Sequence, residues 1–168
     1  YYDDWASDYN GTLTDWRYEA PDQVASMLLE KLSPNSNILD AGCGTGLSGK
    51  ALVSAGFSTV DGVDVSERSL EVANKTGLYK SLQKVDMQQL PLPIPSDHYD
   101  GLVCVGVLTY LTDGLGALHE FSRVVRSGGA VILTHRSDLF AERDFSAVLE
   151  TLEGTGVITD VKISEPRP

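Results

Sequence analysis

Three aspartates and a run of glycines carry the most legible chemistry in this chain: Asp40, Asp64 and Asp86, with Gly42, Gly44 and Gly46 directly after the first. The stretch Ile38-Leu39-Asp40-Ala41-Gly42-Cys43-Gly44-Thr45-Gly46 reads as a short apolar strand, a glycine loop and a helix beginning at Leu47. Alternate glycines let the backbone turn sharply and approach a ligand where a Cβ would otherwise intrude. The helix behind the loop offers free N–H groups and the positive end of its dipole to whatever lies there. Together these parts make a nucleotide cradle, and the acids around it select the nucleotide.

Two ligands compete for it. Gly44-Thr45-Gly46-Leu47-Ser48-Gly49 satisfies G-x-G-x-x-G, and Asp64 stands twenty residues beyond Gly44. That is the spacing at which a dinucleotide fold sets an acid on the ribose. Asp40 opposes this reading, because a carboxylate at the loop entrance would face the pyrophosphate of NAD. S-adenosylmethionine has no phosphate and carries an ammonium and a sulfonium, so an acidic loop suits it. The glycines also begin at Gly42, giving D-x-G-x-G-x-G, with Gly49 inside the helix. The methyl donor is the favoured ligand, NAD the alternative, and a glycine-rich strand end without ligand the plainest reading.

The elements that must position these residues follow from pattern. Pro21-Asp22 starts a helix, with proline in its first turn and an acid at its positive end. Val24, Met27, Leu28 and Leu32 form its apolar stripe, and Ser33-Pro34-Asn35 ends it. Strands are expected at 37–41, 58–65, 82–85, 99–105, 130–134 and 157–164. Helices are expected between them at 47–55, 67–76, 113–126 and 140–152. Gly56 and Gly77 close two of the helices, Ser66 caps one, and Leu115, Leu118, Phe121, Val124 and Val125 form the inner face of another. Regular alternation of strand and helix predicts a Rossmann-like, doubly wound α/β fold: a mostly parallel sheet with helices on both faces. Ligands bind such sheets beyond the carboxyl ends of the strands. Asp40, Asp64, Asp86 and Val105 stand at four successive strand ends, a stronger signal than the glycine loop alone.

Bulk properties bound the rest. With 168 residues the chain can bury one sizeable core, and 42% hydrophobic residues is ordinary for a globular protein. Its net charge is −11, from 13 basic and 24 acidic residues, with no basic patch, so binding to nucleic acid through phosphates is not expected. No apolar run is long enough for a membrane span, and no signal-peptide pattern opens the chain. Two cysteines, Cys43 and Cys104, fit small buried positions in a reduced, cytoplasmic protein, and no zinc-type Cys/His spacing occurs. Tyr1, Tyr2, Trp5, Tyr9, Trp16 and Tyr18 make residues 1–20 too aromatic for a solvated tail. That segment reads as a helical lid or an anchor on the core. The start at Tyr1 and the stop at Pro168, just after a strand-like run, suggest a piece of a longer chain.

At these residues the chain resembles the class I S-adenosylmethionine-dependent methyltransferases, over roughly residues 1–165. Tyr2-Asp3-Asp4-Trp5-Ala6-Ser7-Asp8-Tyr9, Tyr18-Glu19-Ala20-Pro21 and Gly77-Leu78-Tyr79 are similar to the methyltransferase-like proteins related to the Williams-Beuren syndrome chromosomal region methyltransferase. The resemblance implies a single methyltransferase domain over 1–168, with S-adenosyl-L-methionine as cofactor. It implies that Asp40, Ala41, Gly42, Gly44 and Gly46 surround the methionine part and that Asp64 takes both ribose hydroxyls. Val65 would pack on the adenine, Asp86 accept from its amino group, and the Met87 backbone pair with a ring nitrogen. Val105 would line the wall near the methionine chain, and Tyr9 and Tyr18 would close over its end. The chain departs from the family at Ser127, where proline is usual, and in stopping before the customary final antiparallel strand.

Methyl transfer from a sulfonium is an in-line displacement in which positioning supplies much of the catalysis. An oxygen or nitrogen acceptor can also need a base, for which His135, Tyr110 and His98 are candidates. His98 precedes the fourth strand and so belongs at the far end of the sheet. No catalytic residue is assigned. A small-molecule methyltransferase is the leading function; the alternatives are a methyltransferase-like module that binds the cofactor without catalysis and an NAD-dependent oxidoreductase.

Overall fold

The computed structural model describes residues 19–165. Five strands, β1 (Asn37–Ala41), β2 (Thr59–Asp64), β3 (Ser81–Lys84), β4 (Tyr99–Cys104) and β5 (Val125–Leu133), form a sheet in the order β3-β2-β1-β4-β5. Every pairing is parallel, so among the described residues the expected mostly parallel sheet is wholly so. The helices are α1 (Ala20–Lys31), α2 (Leu47–Ala55), α3 (Glu67–Lys75), α4 (Gly114–Val124), α5 (Ser137–Glu142) and α6 (Phe145–Gly154), with a 3-10 turn at Leu108–Tyr110.

The sheet separates two apolar cores. Leu28 of α1, Leu52 of α2 and Phe57 pack on one face, with Ile38, Val60 and Val103. Phe121 and Val124 of α4 and Leu152 of α6 pack on the other, with Leu39, Ala41, Leu102 and Cys104. Successive residues of β1 and β4 thus feed opposite cores, which is why the buried positions of both strands are apolar apart from Asp40. Helix boundaries follow the expected chemistry. Gly46 (φ +109°) and Gly56 (φ +118°) bracket α2 in left-handed conformations. Ser66 Oγ accepts from Ser69 N–H at 3.1 Å to cap α3, and Asp113 accepts from Gly116 N–H at 2.8 Å to cap α4.

Several boundaries differ from the expectations. Residues 157–164 form no strand. Val157 and Ile158 instead donate their N–H groups to Leu152 O, at 2.9 and 3.4 Å, closing α6, while their side chains pack on the second core. The expected helix over 140–152 is two helices, because Asp144 adopts a left-handed conformation (φ +49°) between them. Apolar residues on both sides of that break conceal it in the sequence. The helix before β5 stops at Val124 rather than Arg126, and β5 begins at Val125. A register shift opposite Tyr99 and Gly101 absorbs the intervening residues, with Gly128 at φ +82°. Met27 and Leu115, expected on inner faces, are 40% and 43% exposed; Ala25 and Ala117 are buried.

Candidate active site

Strand order reverses between β1 and β4, so a crevice opens beyond their carboxyl ends. Asp40 and Ala41 lie in β1, Asp64 is the last residue of β2, Val105 follows β4 directly, and Asp86 stands two residues beyond β3. The fold thereby gathers these residues at one edge of the sheet. Tyr9, Tyr18 and the expected N-terminal lid lie outside the described residues.

The glycine loop is tied to β2. Gly42 and Cys43 both donate N–H to Val63 O, at 2.8 and 2.9 Å, and Gly46 N–H donates to Cys43 O at 3.1 Å. Gly42 needs to be glycine twice over: its φ is +77°, and a Cβ there would lie 2.5 Å from Val107 Cγ2. At Gly44 (φ +54°) a Cβ would meet nothing within 4 Å, so the loop backbone there borders open space.

Asp64 holds the tip of this loop. Its Oδ2 accepts from Gly44 N–H and its Oδ1 from Ser66 N–H, both at 2.9 Å. Each carboxylate oxygen has a second lone pair, so both remain able to accept a hydroxyl. Asp86 is half-buried, and its Oδ1 accepts from Gln88 N–H at 2.9 Å. Met87 and Val105 are buried, whereas Val65 is 48% exposed beside Asp64.

Asp40 is the unusual member. It is fully buried, its Oδ2 accepts from the Tyr79 hydroxyl at 2.7 Å, and its Oδ1 has no partner among the described residues. Burial pushes its carboxyl from 3.8 up to about 7; the Tyr79 hydrogen bond opposes the rise and the nearby Asp64 charge adds to it. The same burial, with the Asp40 charge, drives the Tyr79 phenol upward, so it stays protonated and donating. That hydroxyl also accepts from Gly49 N–H at 3.1 Å.

Two links across the site went unread in the sequence. Tyr79 stood out only as part of Gly77-Leu78-Tyr79. The available signal was a pair of glycines in costly places, Gly49 within a helix and Gly62 within a strand, which mark where another group comes close. The second link is Gln88, whose Nε2 donates to Tyr110 O at 2.8 Å while its Oε1 accepts from Thr112 N–H at 3.1 Å. It joins the segment after Asp86 to the 3-10 turn.

Of the candidate bases, His98 sits at the amino end of β4, its N–H bonded to Val124 O at 2.8 Å, remote from the crevice as expected. Tyr110 is 58% exposed on the 3-10 turn. His135 is half-buried against Phe145, with ring centroids 4.8 Å apart, and its Nδ1 lies 2.9 Å from Arg136 O. A carbonyl only accepts, so Nδ1 is the donor in this contact. His135 lines a cavity of about 430 Å³ with Leu108, Leu111, Leu115, Arg143 and Phe145. Leu108 directly follows Val107, the side chain that abuts Gly42.

Such a sheet, with a glycine loop at its switch point and acids at the ends of β1 and β2, defines a nucleotide-cofactor domain of the methyltransferase type. The comparisons agree. The chain is 37% identical over 163 residues to human Methyltransferase-like protein 27, covering 94% of this chain and 66% of that one. It is 28% identical over 117 residues to the Ubiquinone biosynthesis O-methyltransferase of Nitrosomonas europaea, covering 67% and 47%. It therefore spans less than two thirds of the length of these relatives. Among solved structures, it superposes with TM-score 0.72 and 18% identity on the chain bound to the Trm112 methyltransferase activator of Haloferax volcanii, covering 99% and 83%. An S-adenosylmethionine-dependent methyltransferase from Mesorhizobium loti gives TM-score 0.55 and 26% identity, covering 64% and 51%. The chain belongs to the methyltransferase domain family, whose model matches residues 39–133.

Proposed function

We propose that this chain binds S-adenosylmethionine in the crevice beyond β1 and β4 and transfers its methyl group to a small molecule. The observation that carries the reading is the environment of Asp40: a buried carboxylate oxygen without a partner among the described residues, under a glycine loop whose Gly44 borders open space. A cation is what such a carboxylate lacks, and the methionine end of the cofactor bears an ammonium. The donor set fits the remainder of the molecule. Asp64 has lone pairs to spare for two ribose hydroxyls, and exposed Val65 beside it offers an apolar surface to a base. Asp86 would accept from the adenine amino group, the Met87 backbone would pair with a ring nitrogen, and Val105 would wall the methionine chain. Ala41, Gly42, Gly44 and Gly46 would supply close backbone approach.

Bound there, the cofactor supplies a methyl group already activated on a sulfonium. The protein's own work is orientation and exclusion of water. The cavity is lined by Leu108, Leu111, Leu115, Phe145 and Val148 together with the polar side chains of Thr112, Asp113, His135 and Arg143, which suits a small acceptor with both an apolar body and polar groups. The names of relatives as O-methyltransferases support an oxygen acceptor, and the net charge of −11 disfavours nucleic acid. Buried, unpaired Cys43 and Cys104 support a reduced, cytoplasmic setting. Among the described residues no helix is long and apolar enough to cross a membrane.

Turnover tests the reading. Isotopically labelled S-adenosylmethionine, offered with a panel of phenols, catechols and amines, should yield S-adenosylhomocysteine only when an acceptor is present. Binding of the cofactor without turnover across the panel would make the chain a binding module rather than an enzyme.

A further inference from the structure

The fold makes deliberate room for one tyrosine. Tyr79 lies between α3 and β3, and its ring enters a slot under the glycine loop. Two glycines open that slot. A Cβ at Gly49 would overlap the Tyr79 ring, and one at Gly62 would lie 2.9 Å from Tyr79 Cε1. Gly62 pairs with Asp40 across β1 and β2, so the missing side chain stands beside the carboxylate that the hydroxyl reaches. Helix α2 has glycine at its N-cap and no side-chain cap of its own. The Tyr79 hydroxyl takes that part, accepting from Gly49 N–H while donating to Asp40 Oδ2.

We propose that Tyr79 is a positioning residue that holds Asp40 as an oriented carboxylate and fixes it to the first turn of α2, so that the acid and the glycine loop meet the cofactor's ammonium as one rigid unit. The proposal rests on the cofactor reading above. A single hydroxyl serves both bonds because it has one proton to give and lone pairs to receive. Donation to the carboxylate favours its ionised form. The titratable groups facing Asp40 are Tyr79, Cys43 of the loop, Asp64 at the end of β2 and Cys104 of β4. Burial and the acids raise both thiols, so they stay neutral. Of these four groups, the Tyr79 hydroxyl is the one that favours the Asp40 anion, by donating to it, while the Asp64 charge opposes it.

Two readouts on the intact chain test this. The first needs no cofactor: the Asp40 carboxyl is titrated by carbon-13 NMR in the native chain and in Tyr79→Phe, which keeps the ring in its slot. The midpoint should rise by about one pH unit in the variant, and should fall when Tyr79 is replaced by difluorotyrosine, whose hydroxyl is a stronger donor. The second is calorimetric binding of S-adenosylhomocysteine between pH 5.5 and 8.5. Affinity should rise with pH in the native chain; in Tyr79→Phe it should be weaker on the order of tenfold at pH 7, with the gap narrowing toward pH 8.5. An unmoved midpoint, or a loss of affinity by the same factor at every pH, would overturn the proposal and leave Tyr79 a packing residue. If the native chain binds no S-adenosylhomocysteine while the NMR midpoint still shifts, the cofactor reading fails and the coupling of Tyr79 to Asp40 stands. Should Tyr79→Phe fail to fold, the difluorotyrosine variant carries the test by itself.

Discussion

Replacing Asp40 by asparagine should make the protein more stable. Asp40 is fully buried, and its carboxyl sits at about 7 against 3.8 for the free group. The folded chain therefore binds an extra proton relative to the unfolded chain between those two values. Stability falls as pH rises through that window, and the whole penalty is present above it. At ~1.4 kcal/mol per pH unit the ceiling is on the order of 4 kcal/mol. Asparagine carries no charge to bury, and its carbonyl can keep accepting from the Tyr79 hydroxyl. Its amide must then occupy the place of Oδ1, which has no partner among the described residues, at a cost of ~1–3 kcal/mol. The net expectation at pH 8 is a gain of about 1–3 kcal/mol, or a rise in Tm of roughly 2–10 °C. At pH 4.5 the native carboxyl is largely protonated, and the gain should vanish. Differential scanning calorimetry at the two pH values reads this directly. A variant that is less stable at pH 8, or equally shifted at both, would refute the assignment of an electrostatic penalty to this site. A penalty of this kind is characteristic of residues retained for binding rather than for folding.

Other consequences are structural. Gly42→Ala sets a Cβ against Val107 at a φ of +77° and should cost about 1–3 kcal/mol in urea unfolding, loosening the loop as well. Asp113→Ala removes the cap of α4 and should lower stability by ~1 kcal/mol, read as a lower urea midpoint at unchanged slope.

Much of the site was legible because its logic is local. The sequence Asp40 to Gly46 writes strand, loop and helix start within a few residues, and the strand ends after it carry their acids at regular intervals. Parallel strands buried on both faces announce themselves as apolar runs, and β1 and β4 did so. What stayed hidden depends on partners far along the chain. Tyr79 reaches Asp40 across 39 residues and gains meaning only once Gly49 and Gly62 are seen to leave space for it. The break at Asp144 escaped notice because apolar periodicity continues through it. Residues 157–164 have strand-like composition, yet Val157 and Ile158 spend their N–H groups on the end of α6.

The central claim is that the crevice beyond β1 and β4 holds S-adenosylmethionine, with Asp64 on its ribose. The most direct test is calorimetry of S-adenosylhomocysteine and of NADH against this chain and against Asp64→Ala. The account predicts micromolar binding of S-adenosylhomocysteine, its loss in the variant, and no binding of NADH. Binding of NADH alone, or S-adenosylhomocysteine affinity untouched by the substitution, would contradict it.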